Sequence, residues 1–245
     1  MRVAALYDIH GNSPALEAVL CEVREAGVDR IVVGGDLLCG PMQVECIDRL
    51  RTLSAPVQYI MGNTDREVVA ACSGNESKQL PAFALDAIRW SARQLSPDHV
   101  QWISSWPKTT TVDVAGLGRV LFCHATPRDD NEIFVVSTAE ERLLPVFENV
   151  NASMVVCGHT HMQFDRVVGS KRVVNAGSVG MPFGRPGADW LLIGPGIELR
   201  HTDYDIVNAA QRIAATGYPQ VPEFDMLKPP PAEKMLEVYA RAELK

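Results

Sequence analysis

The stretch VVCGHTHMQ (Val155–Gln163) places two histidines, His159 and His161, after an apolar run and a glycine. The apolar run predicts a buried β-strand, so the two histidines lie at its carboxyl end. Buried imidazole nitrogens need hydrogen-bond partners or a metal, which makes a histidine pair an unusual choice for a hydrophobic core. The stretch therefore predicts a strand that ends in a binding site.

Other apolar runs in the chain also end in an aspartate, an asparagine or a histidine. They are YDIHGN with Asp8 and His10, GGDLL with Asp36, GNTD with Asn63, and FCHAT with His124. In parallel α/β sheets, ligands bind outside the carboxyl ends of strands, where several loops converge. We therefore expect these side chains and the histidine pair to meet in one site.

The residue types in this set indicate which ligand the site takes. Carboxylates together with imidazoles suit divalent transition metals, whereas an all-oxygen set would suit Mg²⁺ or Ca²⁺. The candidates are too numerous for one tetrahedral ion and about right for two. Asp36 can bridge such a pair, because its two oxygens can hold cations roughly 3.5–4 Å apart. We predict two divalent ions, with Mn²⁺ as the first choice and Fe, Zn, Ni or Co as alternatives.

Each of these motifs has a more ordinary interpretation when it is taken alone. Asp-x-His, Gly-Asp and Gly-Asn are common in turns and caps, and a single histidine on an apolar strand is commonly a core residue. The conjunction favours a metal site, because four of the six histidines lie at predicted strand ends beside acidic or amide partners. We interpret the other two, His99 and His201, as structural or surface residues.

The spacing of apolar residues predicts an α/β fold. Short apolar strands alternate with helices as far as PVQYIMGN, which is typical of parallel βαβ units, and Ser13 is expected to cap the first helix. A helical region from Pro81 to Trp106 breaks at Ser96–Asp98, and a β-rich region follows with one helix that Pro145 kinks or divides. We predict one two-sheet α/β domain, because the candidate ligands come from both halves of the chain.

The last part of the chain has a different sequence pattern from the rest, with helical stretches on either side of a Pro-rich connector. We assign residues 1–205 to the main domain and residues 206–245 to a helical extension with a Pro-rich connector. The extension could pack on the domain or support a homo-oligomer.

In the helical region from Pro81 to Trp106, three tryptophans have two interpretations. Trp90, Trp102 and Trp106 are either ordinary core residues or part of a lid over the site.

Composition excludes several classes of partner. The net charge of −7 and the pI of about 5.4 leave no basic surface for non-specific DNA binding, so long nucleic acid is not an expected partner. No apolar stretch approaches the roughly 20 residues that cross a bilayer, so we expect no membrane association. The six cysteines lack a Cys-x-x-Cys motif, which predicts free thiols and a cytoplasmic location.

The order Asp-x-His, Gly-Asp, Gly-Asn-x-Asp, His and Gly-His-x-His resembles the calcineurin-like metallophosphoesterases. NAGSVGMP (Asn175–Pro182) is similar to the Asn-Pro-Gly-Ser-Val-Gly segment that follows in that family. The nearest likeness is to the small bacterial and archaeal phosphodiesterase branch, to which the eukaryotic retromer-scaffold subunit is also related. The resemblance implies a two-sheet β-sandwich flanked by helices, in four layers (α/β/β/α).

The resemblance also implies how the ligands divide and what the site does. Asp8, His10, Asp36 and His161 would hold one metal, and Asp36, Asn63, His124 and His159 the other. Asp36, Asn63 and His124 would be the catalytic residues of a dinuclear phosphoesterase. It would hydrolyse small phosphate esters, with phosphodiesters as the first choice and phosphomonoesters as the second, through a metal-bridging hydroxide. The alternative is a metal-binding protein-interaction scaffold with little or no catalysis.

One position departs from the fuller family pattern. Many members read Gly-Asn-His, and here Thr64 takes the place of that histidine. A threonine hydroxyl donates a hydrogen bond but cannot act as a general acid near pH 7, and losing a general acid typically costs 10²–10⁴-fold in rate. We therefore expect activity on esters with good leaving groups.

Further polar residues are candidates for binding substrate or supporting the site. Arg66, Arg128 and Arg185 can hold phosphate oxygens, although a surface salt bridge is the alternative for each, and Ser178 offers a hydroxyl in NAGSVG. Asp65 is expected to orient a ligand histidine. We expect Asn12 to order the first loop by hydrogen bonding.

Overall fold

A computed structural model of the protein describes residues 1–77, 79–220 and 227–244. Strands and helices alternate in the first third, and most strands follow later, as the apolar pattern predicts. The elements in chain order are β1 (Val3–Leu6), α1 (Ser13–Glu25), β2 (Arg30–Val33), α2 (Gln43–Arg51), β3 (Val57–Tyr59), α3 (Asn63–Cys72), α4 (Ala82–Ala92), α5 (Pro97–Ser104), β4 (Thr109–Val114), β5 (Gly118–Cys123), α6 (Glu140–Phe147), β6 (Met154–Cys157), β7 (Phe164–Val168), β8 (Lys171–Asn175), β9 (Ala188–Ile193), β10 (Ile197–Thr202), α7 (Ile206–Ala214) and α8 (Ala232–Ala240).

The strands form two mixed five-stranded sheets. The first has the order β10-β9-β1-β2-β3, in which β1, β2 and β3 are parallel and β9 runs antiparallel to both β1 and β10. The second has the order β4-β5-β6-β8-β7, in which β5, β6 and β8 are parallel and the edge strands β4 and β7 are antiparallel. The predicted two-sheet α/β fold is confirmed.

Apolar residues on both faces of the sheets produce the four layers. In β1, Val3 and Ala5 pack between the two sheets, whereas Ala4 and Leu6 pack against the helices on the outer side. Successive side chains of a strand point to opposite faces, so a strand that is apolar throughout is covered on both sides. The second sheet is covered on its outer face by α6, whose Leu143 belongs to a third apolar cluster.

Helix ends follow the sequence signals with one correction. The cap of α1 is Asn12 and not Ser13, because the Asn12 side chain accepts a hydrogen bond of 3.2 Å from the Ala15 backbone N–H. The same side chain donates to the Gly180 carbonyl at 2.8 Å, so Asn12 joins the first loop to a distant one as expected. Pro145 lies inside α6 without dividing it.

The three tryptophans of the helical region do not form a lid together. The Tyr59 ring stacks on Trp106 and meets Trp102 edge-on, with centroids 5.0 and 4.9 Å apart, so these two tryptophans belong to the helix-side core. Trp90 meets Tyr218 edge-on at 5.2 Å. The helical region still reaches the candidate site, but through other residues of α4.

The segment after residue 205 packs on the rest of the chain. The Tyr218 hydroxyl donates to the Cys39 carbonyl at 3.1 Å, and Arg142 contacts Glu243 at 2.8 Å. Part of the Pro-rich connector, residues 221–226, lies outside the described residues, and the division at residue 205 stays a prediction. Within the described ranges, no helix has the length and apolarity needed to cross a bilayer, and the six cysteines are free.

Candidate metal centre

The loops that follow the central strands converge at one edge of the sandwich. Asp8 and His10 follow β1, Asp36 follows β2, and Asn63 begins α3 directly after β3. From the second sheet, His124 follows β5, and the histidine pair follows β6. Because the central strands within each sheet are parallel, their carboxyl ends lie together, and this brings the seven candidates into one site.

Six of the candidates form two groups. Within each group, one possible ligand atom from each residue lies within 4.8 Å of the others; the groups are Asp8, His10 and His161, and Asp36, His124 and His159. Asn63 joins the second group, since its Oδ1 lies 3.0 Å from His124 Nε2. The two histidines of GHTH thus belong to different groups, which is the division that the family resemblance implies.

The backbone at these residues is strained. Among the seven candidates, the φ angle is positive at five, namely Asp8, His10, Asp36, His159 and His161. Left-handed backbone at non-glycine residues costs of order 1–3 kcal/mol each and persists where the surrounding structure over-determines it, commonly at functional sites. Close packing adds to this constraint: a Cβ on Gly62 would lie 2.2 Å from Asp36 Oδ1, so only glycine fits there.

Each of the two candidate ligand aspartates, Asp8 and Asp36, has one oxygen held by a backbone N–H and one oxygen directed at histidines. The His159 N–H donates to Asp8 Oδ2, and the Thr64 N–H donates to Asp36 Oδ1, both at 2.9 Å. The remaining oxygens face ring nitrogens: Asp8 Oδ1 lies 3.4 Å from His161 Nε2, and Asp36 Oδ2 lies 3.4 Å from His124 Nε2. Asp36 Oδ2 also lies 3.8 Å from His10 Nε2, so this carboxylate faces both groups.

Backbone carbonyls orient three of the histidines. The Nδ1 atoms of His10, His124 and His161 lie 3.3, 3.0 and 2.9 Å from the carbonyl oxygens of Leu38, Gly34 and Met181. Because a carbonyl only accepts, each Nδ1 carries a hydrogen, and each Nε2 is directed into the site. Metal-binding histidines are commonly held in this way by their other ring nitrogen.

The residues present fit a pair of divalent cations. Among the described residues, Asp8 Oδ1 is fully buried without a hydrogen-bond partner. A buried carboxylate oxygen is strongly destabilising unless a donor or a cation compensates it. A cation between the aspartates and the Nε2 atoms would satisfy this oxygen, and imidazole with carboxylate is the donor set of transition metals.

The pKa values of the ligand groups are shifted by burial and by one another. Burial disfavours a charge on His124, but Asp36 and Asp8 outweigh it and raise the His124 pKa to about 10. Burial also opposes the charge of Asp36, yet His124 and the other histidines hold the pKa of Asp36 below its ordinary value. Burial and then the charge of His124 lower the His159 pKa to about 4. In the protein without metal, the raised pKa of His124 keeps this ring protonated at neutral pH.

Asp65 supports the site differently from the prediction. Its carboxylate accepts hydrogen bonds from the backbone N–H groups of Asp36, Leu38 and Gly62, at 2.8, 2.9 and 3.1 Å, and not from a histidine. It therefore orients a metal ligand through the backbone. It joins the loop after β2 to the start of α3, the two segments that carry Asp36 and Asn63.

Two of the predicted substrate-binding arginines form ion pairs away from the ligands. Arg66 donates two hydrogen bonds to Asp130, at 2.8 and 3.0 Å, and a third to Glu67 at 2.6 Å. Arg128 pairs with Glu132 at 2.5 Å. The structure therefore favours the salt-bridge alternative for both residues.

The other two predicted substrate-binding residues also lie outside the group of ligands. Arg185 lines a separate cavity of about 400 Å³ and lies 3.4 Å from Asp189. Ser178 is fully buried, and its hydroxyl donates to the Asp8 carbonyl at 2.8 Å. Its position thus holds the first metal-binding loop in place and does not bring the hydroxyl to a substrate.

A cavity of about 320 Å³ opens onto the ligands. His10, Asp36, Asn63, His159 and His161 are among the residues that line it. The lining also includes Thr64 and further residues that were not candidates from the sequence: Cys39, Glu67, Leu80, Phe83, Ala84, Ile88, Met181, Tyr218 and Gln220. The spacing of apolar residues in α4 indicates a buried face, but nothing in that spacing indicates that the face looks onto the metal ligands.

The sequence is similar to a known family of domains and to a known protein. The calcineurin-like phosphoesterase superfamily domain matches residues 1–193. The uncharacterized protein MJ0912 of Methanocaldococcus jannaschii is 28% identical over 244 residues, covering 89% of this chain and 94% of that protein.

Two solved structures share the fold. The metallophosphoesterase from Sphaerobacter thermophilus superposes with a TM-score of 0.70 and 27% identity, covering 91% of this chain and 98% of that one. The hypothetical protein PH1004 from Pyrococcus horikoshii OT3 has a TM-score of 0.76 with 97% of each chain covered, and at 17% identity it shows the fold alone. The ligand geometry and the match over most of the sequence lead to one conclusion: this chain belongs to the calcineurin-like phosphoesterase superfamily.

Proposed function

We propose that the protein hydrolyses phosphodiesters in small phosphate-ester substrates at a dinuclear centre, with Mn²⁺ as the first choice of metal. The observation that carries the proposal is the pair of Asp/His groups, with Asp36 facing both of them. A single ion would leave one group of buried carboxylate and imidazole without a cation. Two ions satisfy both groups, and the adjacent cavity has room for a substrate.

The residues of the site have distinct roles in this proposal. Divalent ions, when bound, would supply Lewis-acid activation of the phosphoryl group and of the attacking water. Asp36 would hold both ions, and Asn63 and His124 would complete one of the two sites. Thr64 lines the cavity, and its buried hydroxyl has no partner among the described residues, so it can donate a hydrogen bond to a phosphate oxygen.

Chromogenic diester hydrolysis tests the proposal. Wild-type protein with Mn²⁺ is expected to hydrolyse bis-p-nitrophenyl phosphate, because p-nitrophenolate leaves without a general acid. Asp36→Asn and His124→Ala should each lower kcat/KM by at least 100-fold. Asp113→Asn is the matched control, since the Asp113 side chain is 82% exposed in β4, and its rate should equal that of the wild type.

Two outcomes would contradict the proposal. Equal rates in the wild type and the two ligand variants would mean that the observed hydrolysis does not occur at this centre. Stoichiometric metal binding by the wild type without turnover of mono- or diesters would instead favour the alternative, a metal-binding interaction scaffold. Metal content measured on the same samples separates these two outcomes.

A further inference from the structure

The cavity of about 320 Å³ is lined by a group of apolar residues as well as by the candidate metal ligands. Leu80 precedes α4, and Phe83, Ala84 and Ile88 lie on the face of α4 that lines the cavity. Ile88 is buried in the helix-side core, which fixes the position of this face. A substrate whose phosphate reaches His10, Asp36 and His161 would therefore place one of its ester groups against α4.

The charges around this cavity match one phosphate group and not several. Two aspartates and two divalent ions leave a formal charge of about +2 at the centre, which suits a single phosphate. Apart from the ligands, the charged residue among the described cavity residues is Glu67, and the adjacent Arg66 is already shared between Glu67 and Asp130. A second phosphate would meet a carboxylate and an apolar surface, both of which are unfavourable for an anion.

Phe83 has the features of an aromatic contact for a bound group. Its side chain is 61% exposed although it lines the cavity. The Gln220 side chain donates to the Phe83 carbonyl at 2.9 Å, which ties the segment after α7 to this turn of α4. An exposed ring on a supported backbone gains contact area when a planar group packs on it.

We propose that Leu80, Phe83, Ala84 and Ile88 form a specificity wall that binds the non-leaving ester group of the substrate. This group is uncharged and apolar or aromatic, so polyphosphate esters are excluded as preferred substrates. The inference rests on the proposed phosphoesterase function and deepens it by naming the substrate class. The specificity wall acts in binding, because none of its four side chains carries a group that can ionise or coordinate.

Three diesters with the same leaving group test the wall: methyl, phenyl and 4-carboxyphenyl p-nitrophenyl phosphate. Each is assayed with the wild type, Phe83→Ala and Phe83→Leu, so the ratio of kcat/KM between proteins cancels the intrinsic reactivity of each ester. Phe83→Ala should lower kcat/KM for the phenyl ester about tenfold, equivalent to about 1.4 kcal/mol. The methyl ester should change less than twofold, and Phe83→Leu should lie between the wild type and the alanine variant.

The 4-carboxyphenyl ester shows whether the wall recognises an apolar group or only a group of a certain size. This ester has a similar ring, but its kcat/KM with the wild type, divided by its rate of uncatalysed hydrolysis, should be at least tenfold lower than that of the phenyl ester. Val167→Ala is the control for an exposed apolar side chain, since Val167 is 64% exposed on the edge strand β7, and it should change none of the rates.

The possible failures are distinguishable. Hydrolysis of all three esters with equal loss in Phe83→Ala, or with no loss, would overturn the wall while leaving the phosphoesterase function intact. If the wild type hydrolyses none of the esters, the proposed function fails and the inference fails with it. Thermal unfolding of the three variants shows whether any loss reflects misfolding.

Discussion

The Nε2 atoms of His10 and His161 lie 3.3 Å apart, although the two residues are separated by 151 positions in the chain. Both rings place their Nδ1 hydrogens on backbone carbonyls, so two neutral rings would direct lone pairs at each other. A proton or a metal ion must relieve this repulsion. Burial opposes a charge on His161, but Asp8 outweighs it and raises the His161 pKa, whereas burial lowers the pKa of His10, so His161 is the more basic ring of the pair.

Metal binding is therefore expected to release protons. His124, with a pKa of about 10, is protonated between pH 7 and 9 in the metal-free protein, and its Nε2 must lose that proton to bind a metal. Raising the pH removes the competing proton, so the affinity for Mn²⁺ should rise about tenfold per pH unit for each proton displaced. Calorimetric titration at pH 7.5 in two buffers with different ionisation enthalpies counts the protons.

At least one proton per protein should appear in that titration. Identical heats in the two buffers, together with an affinity that does not change between pH 7 and 8, would show that the histidines are neutral before metal binds. The titration of His201→Gln is the control, because His201 lies away from the ligands in contact with Asp189 at 2.7 Å.

A methyl group at Gly62 should disable the site, because it would displace both the carboxylate and the backbone of Asp36. The new Cβ would lie 2.2 Å from Asp36 Oδ1 and must displace that carboxylate. Gly62→Ala is expected to weaken metal binding by at least tenfold, the scale seen when groups that orient metal ligands are lost. Metal content after dialysis and kcat/KM with bis-p-nitrophenyl phosphate both measure the effect.

Gly196→Ala provides the matched control for this substitution. A Cβ at Gly196 meets nothing within 4 Å, and its φ lies outside the left-handed region. Its metal content and rate should equal those of the wild type. If Gly62→Ala also retained full metal content, the backbone of this loop would be more adaptable than its contacts indicate.

Restoring a histidine at position 64 should help substrates with poor leaving groups. Thr64 lines the cavity beside Asp36 and Asn63, so an imidazole there can reach a leaving oxygen. Thr64→His is expected to raise kcat for alkyl esters by 10-fold or more, within the range of general acid catalysis. The gain should be small for p-nitrophenyl esters, because p-nitrophenolate needs no proton.

Plotting log kcat against leaving-group pKa for both proteins checks this prediction. A shallower slope in Thr64→His is the expected result, and Thr64→Gln is the control for side-chain size without a proton donor of suitable pKa. Parallel lines would mean that position 64 does not face the leaving group.

Thiol reactivity should divide the six cysteines by burial. Cys21 and Cys72 are exposed, whereas Cys46, Cys123 and Cys157 are buried. Cys39 lines the cavity, but burial raises its pKa to about 12, so only roughly 1 in 10⁴ of its thiols is ionised at pH 8. We expect Ellman's reagent to label two thiols rapidly in the native protein and six in denaturant. Rapid labelling of a third thiol at pH 8 would show that Cys39 is more accessible than its surroundings indicate.

The residues that meet in the candidate metal centre were predictable because each one follows a recognisable local sequence pattern. An apolar run of strand length followed by a glycine and a polar residue describes Asp36 and His159 without any knowledge of the partner strands. The covering of both sheet faces was predictable for a similar reason, since strands that are apolar on both faces must be covered on both sides, whereas the four-layer arrangement was implied by the family resemblance.

Residues whose roles depend on distant partners were not predictable in this way. From the sequence, Arg66 is a cation beside GNTD that could bind phosphate. The fold brings Asp130, 64 positions away, into hydrogen-bonding contact with it. The sequence predicts that Asp65 orients a ligand histidine. In the fold, its carboxylate instead accepts hydrogen bonds from the backbone N–H groups of Asp36 and Leu38. The residues next to Phe83 and Tyr218 in the sequence form no motif that indicates a binding site, although both side chains line the cavity.

The sequence by itself determined the α/β pattern, the seven candidate ligands and the family, because periodicity and strand-end chemistry are encoded in neighbouring residues. Only the tertiary structure decided which arginines are already paired, which backbone groups Asp65 holds, and which helix lines the cavity beside the candidate ligands. Those features depend on distances between segments that are far apart in the chain, and local patterns carry no information about such distances.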